Sequence, residues 1–298
     1  MNIFRLLKCN LQKVLTSIGF YICVLMTVIL CFSAELYYNY NQNEGCSVIQ
    51  AMINLSHKDM LKSTDFCSYN VLIKCTDGWL PMFIPIIAAF PFIPLLCNEY
   101  DSRSIRTIIF RTNKLSYNTG NFLSAMISGG LAITIGVVVF FTIIFFNFPD
   151  INEYEQSTRD SYEWWFNNVY PFFKIAGYPY LIILRFIEVF LFGAFSAIPS
   201  FVTTCFIRNK YLSISIPFFI KYAIIQTYSR LYIKVYNDIL HPLKKLEAFL
   251  DTTDLNAVNH IFSIGKNMWK NCIFYLLLLM LSYFFYIFIT NRRLDYGE

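Results

Sequence analysis

Six apolar runs, each about long enough to cross a bilayer, leave this chain few other ways to fold. A spanning helix needs about 20 mostly apolar residues, and inside hydrocarbon its backbone polar groups must be satisfied internally. The runs cover residues 14–34, 79–97, 122–147, 179–207, 211–233 and 268–290. Hydrophobic residues make up 56% of the 298 and charged residues only 14%, with a mean hydropathy of +0.49. Soluble domains carry roughly 25% charged residues, and a soluble fold of this size has no interior large enough for so much apolar surface. The expected fold class is an all-α polytopic membrane protein with six transmembrane helices. Residues 1–13 form an N-terminal segment and residues 14–298 a single transmembrane domain. The first run is too long for a signal-peptide core and lacks a small-x-small cleavage site, so it is expected to remain as a span.

Loop charge predicts the orientation, because Lys and Arg gather on the cytoplasmic side. Six spans put both termini on one side, whose segments carry eleven bases against four acids. The opposite loops, residues 35–78, 148–178 and 234–267, carry nine bases against fourteen acids. Both termini are therefore expected in the cytoplasm. The first 13 residues mix apolar Ile3, Phe4, Leu6, Leu7 and Leu11 with basic Arg5, Lys8 and Lys13, a pattern for an amphipathic helix on the inner bilayer surface. The net charge of +5 is spread along the chain rather than clustered, which argues against a nucleic-acid partner.

Recognisable catalytic chemistry is absent from the sequence. Gly265-Lys266 lacks the upstream glycine of a phosphate loop, so the chain has no nucleotide site of its own that can be read. His57, His241 and His260 are scattered over outer loops, with no HExxH or CxxC spacing, and no metal site or catalytic residue is expected. Cys46, Cys67 and Cys75 share the first outer loop, where one disulfide is expected, with the pairing open and one thiol left over.

Several features fall inside the spans. Pro81, Pro85, Pro91 and Pro94 crowd the second, which should be kinked or broken, either as an irregular packed helix or as a hinge. Ser124, Ser128, Ala132 and Gly136 recur every four residues in the third, widened by Gly129 and Gly130. Such a stripe lets helices approach closely, within the chain or between two copies. Arg185 and Glu188 share one face of the fourth span. The tight turn at 208–210 makes spans four and five a hairpin that sets Glu188 opposite Arg230, so an Arg185–Glu188–Arg230 cluster is expected near the outer leaflet. Lys221 lies about 15 Å into its span at 1.5 Å per residue. There it either snorkels or faces a polar cavity, as a residue of a translocation path.

In the segment after the second span, Ile105, Ile108 and Ile109 fall on one face at helical spacing, and Asp101, Arg103 and Arg106 mark the polar side. A short amphipathic cytoplasmic helix of this kind is suited to docking on a soluble partner, and otherwise lies on the bilayer. Here the chain resembles the ABC-2 family of ABC transporter permeases, in particular the small bacterial permeases that accompany bacteriocin and peptide exporters. Glu99 matches the acid that closes the family's second span, and Ser104-Ile105-Arg106 matches its Thr-Ile-basic turn. Lys114 stands for a later basic residue, and Asn121-Phe122-Leu123 for the start of the third span. Arg103 replaces the usual glycine.

The resemblance implies an ABC-2, type V exporter-like fold in a bacterial plasma membrane. It implies a second permease copy or a related permease as partner, and a separate ATP-binding cassette subunit that holds ATP and Mg. The chain itself would bind no cofactor and would not be an enzyme. Glu99, Arg103, Ile105, Arg106 and Ile108 would couple it to the ATPase, spans two and five would line the path, and the segment before span six would be re-entrant. The alternative is a receptor or immunity protein that binds a peptide through its outer loops. A secondary transporter is a third reading, which internal repeats or acidic coupling residues would favour.

Overall fold

A computed structural model describes residues 3–39, 44–102, 108, 112–169, 173–207, 209–237 and 268–295. Helices dominate. In chain order they are α1 (Ile3–Leu15), α2 (Ile18–Phe32), α3 (Val48–Asn54), α4 (His57–Met60), α5 (Ser68–Asp77), α6 (Leu80–Ala89) and α7 (Ile93–Asp101). Then follow α8 (Lys114–Asn147), α9 (Gln156–Val169), α10 (Phe173–Thr203), α11 (Lys210–Asn237) and α12 (Met268–Asp295). One antiparallel hairpin, β1 (Glu35–Asn39) and β2 (Glu44–Ser47), pairs Tyr37 with Cys46.

Each of the six apolar runs falls mainly within a helix. Four stretches among the described residues are long and apolar enough to cross a membrane: Leu80–Asp101, Lys114–Glu153, Gly177–Thr203 and Cys272–Thr290. The α1–α2 pair makes a fifth if its 65° bend is one broken span. This is a membrane-embedded helical protein. The run at 211–233 is helical as expected, but α11 does not meet the same standard, because Lys221, Gln226 and Arg230 interrupt its apolar surface.

Hydroxyl side chains cause the bend between α1 and α2. Thr16 Oγ1 donates to the Gln12 carbonyl at 2.9 Å and Ser17 Oγ to the Val14 carbonyl at 2.7 Å, closing α1. The same Ser17 hydroxyl then accepts from the Phe20 amide at the start of α2, an N-cap arrangement. The elbow holds α1 against α8. Leu6, Asn10 and Val14, spaced by four, are the buried face of α1, and Gly120 of α8 leaves room for the Leu6 side chain.

Helix α8 is the hub of the bundle. Its 34 residues span about 50 Å, more than the roughly 30 Å of hydrocarbon. The small-residue stripe is spent inside the chain. A methyl group on Gly129 would lie 2.7 Å from the Ala88 carbonyl oxygen of α6 and 2.8 Å from Ala197 of α10, and Gly136 faces Thr27 of α2. Ser124, Ser128 and Ala132 are also buried. Between the two possibilities for this stripe, it is thus an interface within the chain. Phe141 meets Phe186 while Gly129 meets Ala197, so α10 runs antiparallel to α8. Phe122 near the start of α8 packs on Phe201 and Tyr286 near the ends of α10 and α12.

The first two of the loops expected on the outer side fold together into one small cap. Cys67, Tyr69 and Ile73 from the first share an apolar cluster with Ile151, Tyr154 and Phe166 from the second, and with Leu181 and Leu184 of α10. Polar contacts register the two loops: Asn70 Nδ2 donates to the Tyr162 hydroxyl at 2.7 Å, and His57 Nε2 meets Glu153 Oε2 at 2.6 Å. Gly177, with φ +63°, makes the break where the cap chain turns into the α10 span, a conformation that glycine adopts without a Cβ penalty. Residues 238–267, and with them most of the third outer loop and its expected re-entrant element, lie outside the described residues.

Candidate functional site

Three places hold the chemistry that the sequence singled out: the joint where α1, α7 and α8 meet, a buried charge pair under the cap, and helix α11.

At the joint, the acid that closes the second span is paired. Lys13 Nζ donates to Glu99 Oε1 at 2.8 Å, across 86 residues of sequence. The bond to Glu99 holds the Lys13 ammonium above the ordinary lysine value of 10.5. Beside it Asn10 Nδ2 donates to Asn121 Oδ1 at 2.8 Å, a buried amide pair, and Asn118 Nδ2 reaches Thr290 Oγ1 of α12 at 3.2 Å. Helices α1, α7, α8 and α12 are therefore pinned to one another near the end of α7. In the segment expected to dock on a partner, Ile108 is helical and half-buried, and its carbonyl accepts from the Thr112 amide at 2.9 Å. Arg103, Ile105 and Arg106 lie outside the described residues.

Among the described residues, the opposite face of α1 is exposed or half-exposed. Phe4, 82% exposed, begins an apolar strip that continues through Leu7, Leu11 and Leu15, with Arg5 and Lys8 exposed beside it. An apolar strip flanked by bases is what a bilayer surface accepts.

Under the cap, Arg185 and Glu188 form a pair with no solvent exposure on either side chain. NH1 of Arg185 donates to Glu188 Oε2 at 3.1 Å. The rest of the guanidinium turns to the end of α5: NH2 donates to Thr76 Oγ1 at 2.6 Å and to the Ile73 carbonyl at 3.4 Å. A cation is favoured there by the helix dipole and by carbonyls near the helix end. Thr76 Oγ1 in turn donates a hydrogen bond to the Leu72 carbonyl at 2.8 Å. Cys272 and Tyr275 of α12 lie within range of the Glu188 charge. The expected third member is absent from the cluster, since Arg230 is exposed on α11. The α5 end offers Arg185 a dry partner from the cap, which a hairpin reflection of spans four and five cannot foresee.

Helix α11 has two unlike sides. Lys221 points inward: its Nζ donates to the Pro81 carbonyl of α6 at 2.5 Å and lies 5.1 Å from the Phe192 ring centre of α10. Its ammonium is turned to the neighbouring helices, away from the polar side of α11. That side carries Ala223, Gln226, Thr227 and Arg230, all exposed and spaced by three or four residues, so they share one face. The exposed faces of α2 and α12 are different in kind. They show Ile22, Leu25 and Met26, and Leu277, Met280, Leu281 and Phe284. The pairing of Gln226 with Arg230 at four residues was available in the sequence, but a search for buried charges passes over it.

Cys46, Cys67 and Cys75 are thiols, and the expected disulfide is not formed. Cys67 sits in the cap cluster while Cys46 and Cys75 pack in the main core, so apolar packing keeps them in separate places. Burial raises the Cys67 thiol above its ordinary value of 9.0. No group of three or more His, Cys, Asp or Glu among the described residues is placed to hold a metal ion. Comparison with protein-family models, curated proteins and solved structures found no match to this chain.

Proposed function

We propose that this chain is the membrane-spanning subunit of an ABC-2 type exporter, moving a peptide, bacteriocin or other amphipathic substrate with ATP hydrolysed by a separate subunit. The exposed polar face of α11 carries the reading. Gln226, Thr227 and Arg230 stand where the other helices present hydrocarbon. Polar and charged groups at membrane depth are costly against lipid and normally line a water-filled path or meet another protein. A second copy, or a related permease, facing this side of α11 would enclose such a path. Spans two and five would form its wall, since Phe83 of α6 stacks on Phe218 of α11 at 5.9 Å.

The joint supports an external energy source. A substrate path needs work, and the chain carries no phosphate loop. The Lys13–Glu99 and Asn10–Asn121 contacts tie α1 to α7 and α8, so a partner pressing on the end of α7 would move α1, α7 and α8 together. In this reading the six helices are six spans, both termini are cytoplasmic, and the protein sits in a bacterial plasma membrane. The second reading is a receptor or immunity protein, and the cap favours it: α9 exposes Trp164 at 69% beside Asp160 and Glu163.

Cysteine labelling in membranes separates the two. With the native thiols replaced, Gln226→Cys should react with a water-soluble maleimide, while Leu281→Cys on the lipid face should not. Equal silence of both positions would remove the path and leave the receptor.

A further inference from the structure

Four prolines, Pro85, Pro179, Pro199 and Pro217, lie inside the described helices, and at two of them a neighbouring helix supplies a donor to the carbonyl four residues earlier, in place of the amide that proline lacks. Pro217 of α11 leaves the Ser213 carbonyl without its usual donor, and Thr203 Oγ1 of α10 donates to it at 2.9 Å. Pro85 of α6 does the same to the Pro81 carbonyl, and there the donor is the Lys221 ammonium of α11. A hydroxyl suffices at the first site. At the second the donor is a cation set between apolar helices, which is costly unless it is well satisfied. The Phe192 ring face offsets part of that through its quadrupole.

The position explains the expense. Helix α6 ends at Ala89, and α7 starts at Ile93 with Pro91 between them, so the second span is broken just below the strapped turn. A helix weakened at both Pro85 and Pro91 holds its course only if something fixes its upper half. A threonine reaches a neighbouring helix only where the two lie close, as Thr203 does beside the tight turn between α10 and α11, whereas a lysine stem bridges from one helix axis to the next and carries a strong, charge-assisted donor.

We infer that Lys221 is the positioning residue of the second span: its ammonium takes the place of the amide that Pro85 lacks and straps the upper half of the broken span to α10 and α11. The strap is specific to the proline. It follows that restoring an amide at position 85 makes Lys221 dispensable, a relation that ordinary packing by a long side chain would not produce. The inference stands apart from the permease reading, since it concerns only α6, α10 and α11.

The test is a double-mutant cycle on the full-length chain in detergent, with thermal unfolding and amide hydrogen exchange of residues 81–92 as readouts. Lys221→Met should lower the melting temperature by several degrees and speed exchange in that stretch at least tenfold. In the Pro85→Ala background, the same substitution should produce less than half of either effect. Equal effects in the two backgrounds, or no effect of Lys221→Met in the wild-type background, would overturn the strap. Should Lys221→Met fail to yield folded protein, recovery of the Pro85→Ala/Lys221→Met chain supports it, and failure of both overturns it.

Discussion

Arg185 and Thr76 lie 109 residues apart in sequence and 2.6 Å apart in space, joining the last turn of a cap helix to a membrane helix. Glu188 completes the contact from one turn further along α10. Because the pair is fully buried, its worth is asymmetric. Formed, it roughly offsets its own desolvation; broken on one side, it leaves a bare charge at a cost of about 3–5 kcal/mol. Glu188→Gln should therefore lower the unfolding free energy by about that much. Thr76→Val should cost about 1–3 kcal/mol, the penalty for an unmet buried donor. Denaturant unfolding in mild detergent reads both, and a Glu188→Gln chain as stable as the wild type would contradict the assignment.

Gly129 tests the place of the small-residue stripe. Its missing Cβ lets α8 lie directly against Ala88 and Ala197. Gly129→Val should cost at least about 1–3 kcal/mol by overpacking, with loss of folded monomer in size-exclusion chromatography. A stripe reserved for a second copy would instead give a stable monomer and impaired self-association.

The cap should loosen in acid. The Asp150 backbone amide, and then His57, hold the Glu153 carboxyl below its ordinary value of 4.5. A group depressed in the folded state contributes stability above its unfolded value and loses it as pH falls through the folded one. The stabilising part of this contact should thus be complete above about pH 5 and fade below pH 4.5. Both side chains are about half exposed, so the effect is small. Glu153→Gln should flatten the acid limb of a melting-temperature profile between pH 3 and 6; superimposable profiles would rule the contact out as a contributor.

The joint at α1 should depend more on its amides than on its charges. Lys13 and Glu99 are partly exposed, and such pairs contribute about 0–1 kcal/mol. Asn10→Ala leaves the Asn121 amide buried and unmet, at about 1–3 kcal/mol. Limited proteolysis within α1 should accordingly be faster in Asn10→Ala than in Lys13→Ala. The reverse order would place the anchoring of α1 in the ion pair.

Much of this arrangement is legible from hydropathy, because the bilayer demands continuous apolar runs and the sequence supplies them. The helices at 79–97, 122–147 and 268–290 announce themselves in that way. Local rules also reach the Arg185–Glu188 pair, since three residues make one helical turn. They stop at contacts that need the chain's return path. Thr76 and Lys13 look like ordinary loop and surface residues until the cap folds over α10 and α1 turns back on α7. Lys221 shows the limit most clearly. Its place within an apolar run is plain in the sequence, but its partner is a carbonyl that becomes available only because residue 85, in another helix, is proline.

Isolation of the tagged chain from its native membrane in a gentle detergent tests the permease most directly. A separate ATPase subunit should co-purify, and the chain without it should hydrolyse no ATP. Ile105→Asp, in the segment expected to dock on the ATPase, should lose the ATPase while the chain stays inserted, because buried apolar anchors carry most of the energy of a small docking contact. Arg106→Ala should weaken recovery only mildly and in a salt-dependent way. Preparations of the wild-type chain that contain no ATPase, or undiminished recovery with Ile105→Asp, would contradict the coupling on which the function rests.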